Sequence, residues 1–131
     1  MKILLDTNAW LWFVLGDSQL SDAARQAILD PLNTKFVSAA SCWELSIKIN
    51  IGKYVLPNPY FDFMKHGIAG NGFTFLPIEL VHTEQASRLM FPANQHRDPF
   101  DRLLISQAIV ENMTIISSDK KFNSYSVTTI W

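Results

Sequence analysis

The sequence predicts an α/β fold in which helices cover both faces of a central parallel sheet, a doubly wound arrangement. Short apolar runs typical of buried strands alternate along the chain with helical segments of about three turns. Parallel strands require such crossover connections, because a tight turn can join only antiparallel neighbours. The 131 residues are enough for one hydrophobic core and too few for two, so we expect a single domain over residues 1–131.

The N-terminal half opens with a strand that runs directly into a helix start. Residues 2–5 are a short apolar run, and the polar residues Asp6, Thr7 and Asn8 that follow are favoured at helix N-termini. Glycine or proline marks the later helix ends. The predicted elements are a strand at Lys2–Leu5, a helix at Ala9–Leu15, a helix at Ser21–Leu29, a strand at Lys35–Ser38 and a helix at Ser38–Ile51.

The C-terminal half contains the clearest helix pattern of the chain. Residues 99–111 carry a wide apolar stripe, and Asn112 is a suitable terminator. A weaker helical stretch at 59–66 is closed by Gly67. The other predicted elements of this half are a strand at Phe73–Ile78, a helix at Glu79–Met90, a strand at Thr114–Ser117 and a strand at Val127–Ile130.

Composition and charge limit the functions and cellular locations that we expect for this chain. The net charge of -1 provides no general basic field, so nucleic-acid binding would need a local patch or bound cations. A single cysteine, Cys42, cannot form an internal disulfide, which favours a reducing, cytoplasmic location. The apolar run at 9–15 is far shorter than the roughly 20 residues that span a bilayer, and Asp6 interrupts any signal peptide. We therefore expect no membrane association.

Two acidic residues stand just after predicted strands. Asp6 follows the first strand, and Asp119 follows the strand at 114–117. Ligands of open α/β sheets bind beyond the carboxyl ends of the strands, near a reversal of strand order, so both side chains arrive where a site is expected. The same residues could instead cap the elements that follow them, because Asp is favoured at helix N-termini. The sequence leaves both interpretations open.

Two further acids lie on helix faces that are otherwise apolar. Glu44 shares one face of its helix with Ala40, Ile47 and Ile51. Asp101 has as its helical neighbours Leu104, Ile105 and Ala108. Acids are rarely placed on core-facing positions unless they are paired or bind a metal. The pattern predicts that both carboxylates serve a site.

Asp98 and Asp101 also have a structural explanation. Asp98 before Pro99 is the pattern of an N-cap followed by proline at the first helical position, and we favour that role for it. Asp101 could complete a capping box. The two roles of Asp101 are compatible, because a residue in the first turn can reach the cap amide and still point toward a site.

Convergence of Asp6, Glu44, Asp101 and Asp119 would require neutralising cations, because four close carboxylates repel one another. An all-oxygen set of donors selects Mg²⁺, or Mn²⁺, over zinc. A carboxylate-bound Mg²⁺ activates water and balances the charge of a phosphodiester transition state. The cluster therefore predicts metal-dependent phosphodiester hydrolysis.

Other catalytic schemes lack support in the sequence. The histidines have no zinc-like spacing; we interpret His66 and His82 as surface or partly packed residues, and expect His96 near the site because it precedes Asp98. No Ser-His-Asp or Cys-His nucleophile is evident, and no glycine-rich phosphate loop. Covalent catalysis and nucleotide-cofactor chemistry are therefore not expected.

Four stretches of the chain carry a family pattern: LLDTNAWLW, SAASCWELSIKINIGK, HRDPFDRLLISQA and IISSDKKF. Together and in this order they resemble the PIN-domain ribonucleases, specifically the toxin subunits of VapBC-type toxin–antitoxin pairs. The resemblance runs from Lys2 to about Trp131. It implies a three-layer PIN-like fold, with a central parallel sheet flanked by helices.

The resemblance also implies a function and partners. The protein would be a magnesium-dependent endoribonuclease with RNA as substrate, a cognate antitoxin that holds it inactive, and a second copy in a homodimer. Its acids would be Asp6 in DTN, Glu44 in WEL, Asp101 in DRLLISQA and Asp119 in SSD. Supporting roles fall to Thr7, Asn8, Ser117 and Asp98. Ser117 stands where many relatives have Thr.

Substrate binding is expected to use cations near the acids, and two other functions stay open. The candidate cations are Lys48, Lys53, Arg97, Arg102, Lys120 and Lys121. Arg102 is singled out because it adjoins Asp101 and faces away from the apolar stripe. One alternative is a catalytically silent PIN-like domain that binds RNA or protein; another is a phosphatase or DNA nuclease on a similar scaffold.

Overall fold

A computed structural model describes the chain from Met1 to Trp131. The helices and strands are β1 (Lys2–Leu5), α1 (Thr7–Leu15), α2 (Asp22–Leu29), β2 (Thr34–Ser38), α3 (Ala39–Asn50), α4 (Tyr60–Ile68), β3 (Thr74–Leu76), α5 (Leu80–Ser87), α6 (Pro99–Glu111), β4 (Thr114–Ile116) and β5 (Thr129–Ile130). The strands form one sheet in the order β3-β2-β1-β4-β5, and every pairing is parallel. The predicted doubly wound parallel sheet is confirmed.

The alternation of side chains along the strands builds one core on each face of the sheet. Ile3 and Leu5 of β1 belong to the larger core, which packs under α1 to α4, whereas Leu4 points into the smaller core with α6. In β4, Ile116 joins the first core and Ile115 the second. Helices therefore flank the sheet on both sides, and the expected three-layer arrangement is confirmed.

The strand order reverses between β1 and β4, and this reversal positions the site. The chain moves outward from β1 to β2 and β3, then crosses back through α5 and α6 to place β4 on the other side of β1. The amide of Asp6 continues the ladder beyond β1 by donating to the carbonyl of Ile116 at 3.1 Å. The carboxyl ends of these two central strands thus open a crevice of the kind that binds ligands.

Gly67 does not end α4, as the sequence suggested, but lies inside it. A Cβ atom at this position would come 2.7 Å from Cζ2 of Trp10, which real Cβ atoms do not tolerate. The indole of Trp10 also donates from Nε1 to the carbonyl of Gly67, at 3.2 Å. Because this glycine has no side chain, α4 can pack closely on α1. Its role is therefore to permit this contact and not to end the helix.

The helix predicted at residues 79–90 is shorter in the structure, where α5 ends at Ser87. The carbonyls of Leu89 and Met90 accept hydrogen bonds from Arg102, which draws the chain away from the helical path. The bounds of α6 agree with the prediction, and Asn112 ends that helix in the left-handed conformation at φ 55°. None of the helices is both long enough and apolar enough to span a bilayer.

Candidate active site

The crevice between β1 and β4 holds a cavity of about 180 Å³. All nine residues that line it are polar or charged: Asp6, Thr7, Asn8, Glu44, Lys48, Asp98, Asp101, Ser118 and Asp119. The structure therefore brings the four predicted acids to one place, together with Asp98. We call this cavity the acid pocket.

Asp6 leaves the carboxyl end of β1 and enters the acid pocket with 8% of its surface exposed. One carboxylate oxygen, Oδ1, caps α1 by accepting from the amide of Ala9 at 2.7 Å. Burial raises the pKa of Asp6 to about 6, although its interactions with the Ser117 hydroxyl and the Ala9 amide oppose the rise. Asp6 is thus both a cap and a lining residue, and the two interpretations left open by the sequence are compatible.

Glu44 is held by two neighbours inside the pocket. The hydroxyl of Thr7 donates to Oε1 at 2.5 Å, and the ammonium of Lys48 lies 3.1 Å from Oε2. Burial alone would lower the pKa of Lys48, but the hydrogen bond and the attraction of Glu44 outweigh it and raise that pKa. The carboxylate is consequently oriented and neutralised by the protein itself.

The argument that placed Glu44 on a core-facing stripe is wrong in its geometry. Ile47 is 37% exposed and Ile51 is 69% exposed, so this face is buried only at Ala40 and turns to solvent toward the C-terminal end of α3. The buried residues of the helix are Ala40, Ser41 and Leu45. The Glu44 side chain is only 14% exposed because it turns into the acid pocket, beside the exposed apolar side chains and not among buried ones.

Asp98 and Asp101 occupy the first turn of α6. Oδ1 of Asp98 caps the helix through the amides of Phe100 and Asp101, which agrees with the predicted N-cap. The predicted capping box is not formed, because Oδ2 of Asp101 contacts Nε2 of His96 at 3.1 Å instead. Burial, and then the charges of the surrounding acids with Asp98 foremost, raise the pKa of Asp101 to about 7.

Asp119 follows β4 and is the last of the acids that line the acid pocket. Its Oδ1 accepts from the amide of Lys121 at 2.9 Å, and its own amide donates to the buried Ser117 hydroxyl at 3.0 Å. The Ser117 side chain also interacts with Asp6 and opposes the rise in its pKa. Ser117 therefore contacts both acids that follow the central strands. Ser118 lines the cavity as well, although no pattern in the sequence distinguished it from Ser117.

Arg102 does not have the exposed position that the sequence suggested. The side chain is buried, with Nη2 donating to the carbonyl of Leu89 at 2.7 Å and Nη1 to the hydroxyl of Tyr125 at 3.1 Å. The guanidinium lies 4.0 Å from the ring centre of Phe91. Arg102 braces the segment before α6, which removes it from the set of substrate-binding cations.

A second cluster of side chains with metal-binding atoms lies at the other end of α6. The ligand atoms of Glu79, His82 and Glu111 all lie within 4.8 Å of one another. The fully buried His82 accepts from the amide of Glu79 at Nδ1 and contacts the Glu111 carboxylate through Nε2, both at 3.0 Å. This histidine was expected at the surface or partly packed, which is wrong. We call this group the histidine cluster.

The donors of the acid pocket suit a hard divalent cation. Asp6, Glu44, Asp101 and Asp119 offer only oxygen atoms, the donor type that Mg²⁺ and Mn²⁺ prefer. The raised pKa values of Asp6 and Asp101 show that ionised carboxylates are costly here in the absence of a counter-charge. A divalent cation would remove that cost.

Comparison with known families identifies the domain. The model of the PIN domain family matches residues 3–127, nearly the whole chain. No curated protein matches the sequence.

Several solved structures share this fold. VapBC2 from Rickettsia felis, solved with a DNA fragment from their promoter, is 20% identical over 98% of this chain and 97% of that chain, with a TM-score of 0.71. VapBC-1 from nontypeable Haemophilus influenzae is 17% identical over 98% and 96%, with a TM-score of 0.68. VapC20 from Mycobacterium tuberculosis, described as a sarcin-ricin loop cleaving toxin, is 13% identical over 93% of both chains, with a TM-score of 0.66.

Proposed function

Since this chain belongs to the PIN domain family, we propose that it is a magnesium-dependent endoribonuclease toxin, neutralised by a cognate antitoxin. The observation that carries the proposal is the acid pocket, where five carboxylates surround a small cavity with no apolar lining. Such a concentration of negative charge suits a site for a cation together with the phosphate that the cation attracts.

Asp6, Glu44, Asp101 and Asp119 are the residues that would hold Mg²⁺, with Mn²⁺ as a substitute. A bound cation of this kind lowers the pKa of a coordinated water and balances the charge of the phosphodiester transition state. The four acids come from the residue after β1, from α3, from α6 and from the segment after β4, so the sheet and both helical layers fix their relative positions. Catalysis would then depend on positioning and charge balance, and no protein nucleophile is required.

The remaining pocket residues support the acids. Thr7 fixes one oxygen of Glu44, and Ser117 links the segments that carry Asp6 and Asp119. Asn8 and Asp98 line the cavity beside them, where they can bind water or substrate hydroxyls. Lys48 pairs with Glu44, and its ammonium would be available to an RNA phosphate if a cation neutralised that carboxylate.

An RNA substrate is the part of the proposal that rests most on similarity. The VapC20 structure is described as a toxin that cleaves the sarcin-ricin loop. In this chain Lys53, Arg97, Lys120 and Lys121 are exposed, and Arg97 and Lys121 line a second pocket that shares Asp98 with the acid pocket. These cations can contact the RNA backbone on either side of the cleaved bond. An RNA substrate also favours a cytoplasmic location.

A protein partner is supported by the exposed apolar side of α3. Trp43, Ile47 and Ile51 stand four residues apart on this helix, and all three are exposed. The solved VapBC2 and VapBC-1 structures are of toxin–antitoxin pairs. We infer a cognate antitoxin as the partner, and a homodimer as the assembly of the toxin itself.

The test is cleavage of single-stranded and structured RNAs by the purified chain, with Mg²⁺ and with EDTA. The Asp101→Asn variant is compared with Asp62→Asn, which changes an exposed acid on α4 outside the acid pocket. We expect the wild type and Asp62→Asn to cut RNA in Mg²⁺, and expect EDTA or Asp101→Asn to stop cleavage. Activity on DNA or small phosphoesters alone would move the assignment to another phosphodiesterase, and Mg²⁺ binding without cleavage of any substrate would indicate a silent binding domain.

A further inference from the structure

His96 is buried between the start of α6 and the C-terminal segment, and both of its ring nitrogens have partners. Nε2 lies 3.1 Å from Oδ2 of Asp101, and Nδ1 lies 2.9 Å from the hydroxyl of Tyr125. It is the one side chain that forms a hydrogen bond with the Asp101 carboxylate. The sequence placed His96 near the site but gave it no role.

The direction of the hydrogen bonds around His96 follows from what each group can donate. Arg102 has only donors, and its Nη1 donates to the Tyr125 oxygen at 3.1 Å. The Tyr125 hydroxyl has one proton, and Nδ1 of His96 is its nearer acceptor, since the His96 carbonyl is 3.4 Å away. Nδ1 therefore accepts, and the ring proton is on Nε2, where it donates to Asp101.

The imidazole is also held against rotation. Its ring packs edge-on against the ring of Tyr125, with centroids 5.7 Å apart. The His96 amide donates to Oδ1 of Asn94 at 3.1 Å, in a turn where Gln95 adopts a left-handed φ of 58°. Arg102 anchors the preceding segment through the carbonyls of Leu89 and Met90. The donor on Nε2 is thus fixed in place before any ligand binds.

We propose that His96 is a positioning residue that orients Asp101 for the cation, within a relay that runs from Arg102 through Tyr125. The hydrogen bond occupies Oδ2 and leaves Oδ1 of Asp101, which has no hydrogen-bond partner, as the oxygen free to ligate. This inference rests on the proposed metal-dependent function. It also explains why Arg102 is buried beside the site and yet does not reach the acid pocket.

Loss of the hydrogen bond from His96 to Asp101 is expected to lower the affinity for the cation. Partners that orient metal-binding carboxylates or histidines typically contribute about 10- to 100-fold to metal affinity. Removing the Nε2 donor frees the Asp101 carboxylate to rotate, and the entropy of fixing it must then be supplied when the cation binds. The expected change is in cation affinity, with the fold left in place.

The experiment measures Mn²⁺ affinity by calorimetry and cleavage kinetics for the wild type, His96→Phe and His96→Gln. Phenylalanine keeps a ring but has no donor, whereas the amide of glutamine can replace the Nε2 donor to Asp101. We expect His96→Phe to bind Mn²⁺ about 10- to 100-fold more weakly and His96→Gln to recover most of that loss. Equal affinity of His96→Phe and wild type, or equal loss in both variants, would overturn the proposal.

Tyr125→Phe tests the same relay with less risk to folding, because it removes only the hydroxyl. The matched control is Tyr60→Phe, whose hydroxyl contacts the carbonyl of Cys42 on α3 and not His96. We expect several-fold weaker Mn²⁺ binding for Tyr125→Phe and none of this change for Tyr60→Phe. Unchanged binding in Tyr125→Phe would remove the relay. A wild-type chain that binds no Mn²⁺ would contradict the proposed function itself, and this inference with it.

Discussion

The acid pocket and the histidine cluster both gather metal-binding side chains, at opposite ends of α6. In the histidine cluster every ring nitrogen of His82 is already bonded, to the Glu79 amide and to Glu111. In the acid pocket carboxylate oxygens remain free, and burial raises the pKa of Asp6 and Asp101. A cation in the acid pocket would offset the cost of burying ionised carboxylates. A cation in the histidine cluster would instead have to displace hydrogen bonds that are already formed. Proximity of ligand-type residues is therefore a weaker indication of a metal site than unsatisfied charge.

The sharpest test of this contrast is Asp6→Asn, for which activity and stability should move in opposite directions. We expect cleavage to fall about 100-fold or more, because a metal ligand that contributes several kcal/mol is lost. Asparagine caps a helix about as well as aspartate, and a buried charge is removed. The free energy of unfolding in EDTA should therefore hold or rise at pH 7.5. RNA cleavage and urea denaturation measure the two effects, and retained cleavage would exclude Asp6 as a ligand.

The pH dependence of stability provides the second test. Because Asp6 and Asp101 have pKa values raised to about 6 and about 7, the folded chain binds more protons than the unfolded chain between about pH 4 and pH 7. In EDTA the contribution of these two residues to stability should thus be greatest below about pH 4 and should fall as the pH rises through this range. The loss from Asp6 is at most about 3 kcal/mol, since its pKa rises from 3.8 to about 6.

If Mg²⁺ binds the ionised carboxylates as proposed, it should reverse that loss. Thermal unfolding with Mg²⁺ and with EDTA, from pH 5 to pH 8, is expected to show stabilisation by Mg²⁺ that increases with pH. In the histidine cluster both ring nitrogens of His82 already have hydrogen-bond partners, so we expect no such increase from a cation bound there. A Mg²⁺ effect that is constant across the range would mean that the cation binds elsewhere.

His82→Leu is the third test, and its expected effect is confined to stability. The substitution leaves the partly buried Glu79 amide without its acceptor and Glu111 without its partner, at a cost of about 2 kcal/mol in the free energy of unfolding. The control is His66→Leu, an exposed histidine on α4, which should change stability by less than about 0.5 kcal/mol. Cleavage rates of both variants should match wild type below their unfolding temperatures. A fall in Mn²⁺ affinity in His82→Leu would make the histidine cluster a metal site after all.

The sequence predicted the fold and the acids because the relevant signals are local. Lys2–Leu5 is a strand and Pro99–Glu111 a helix at the predicted bounds, since apolar runs and capping residues are read over a few neighbours. Asp6 and Asp119 could be placed at one edge because parallel strands carry their carboxyl ends to the same side.

The predictions from sequence were wrong where contacts between segments distant in sequence determine the surroundings of a residue. The surroundings of Glu44 were wrong because helical periodicity does not show which apolar stripe of α3 meets the sheet. Arg102 and His96 could not be resolved, since their partners in the 89–91 segment and at Tyr125 lie more than ten residues away in sequence. Gly67 was taken for a helix stop because its contact, Trp10, is on another helix.

The smallest expected effect concerns Thr7, which we expect to orient the proposed metal ligand Glu44 and not to bind the cation itself. Thr7→Val removes the hydroxyl that donates to Glu44 at 2.5 Å, while Thr7→Ser keeps it. We expect Thr7→Val to weaken Mn²⁺ binding about tenfold and to lower the free energy of unfolding by about 1 kcal/mol. Thr7→Ser should stay close to wild type in Mn²⁺ affinity, because its hydroxyl can take the same position. If the two variants bind Mn²⁺ equally, Lys48 alone is sufficient to hold the Glu44 carboxylate, and the contrast with the fully hydrogen-bonded histidine cluster must rest on Asp6 and Asp101.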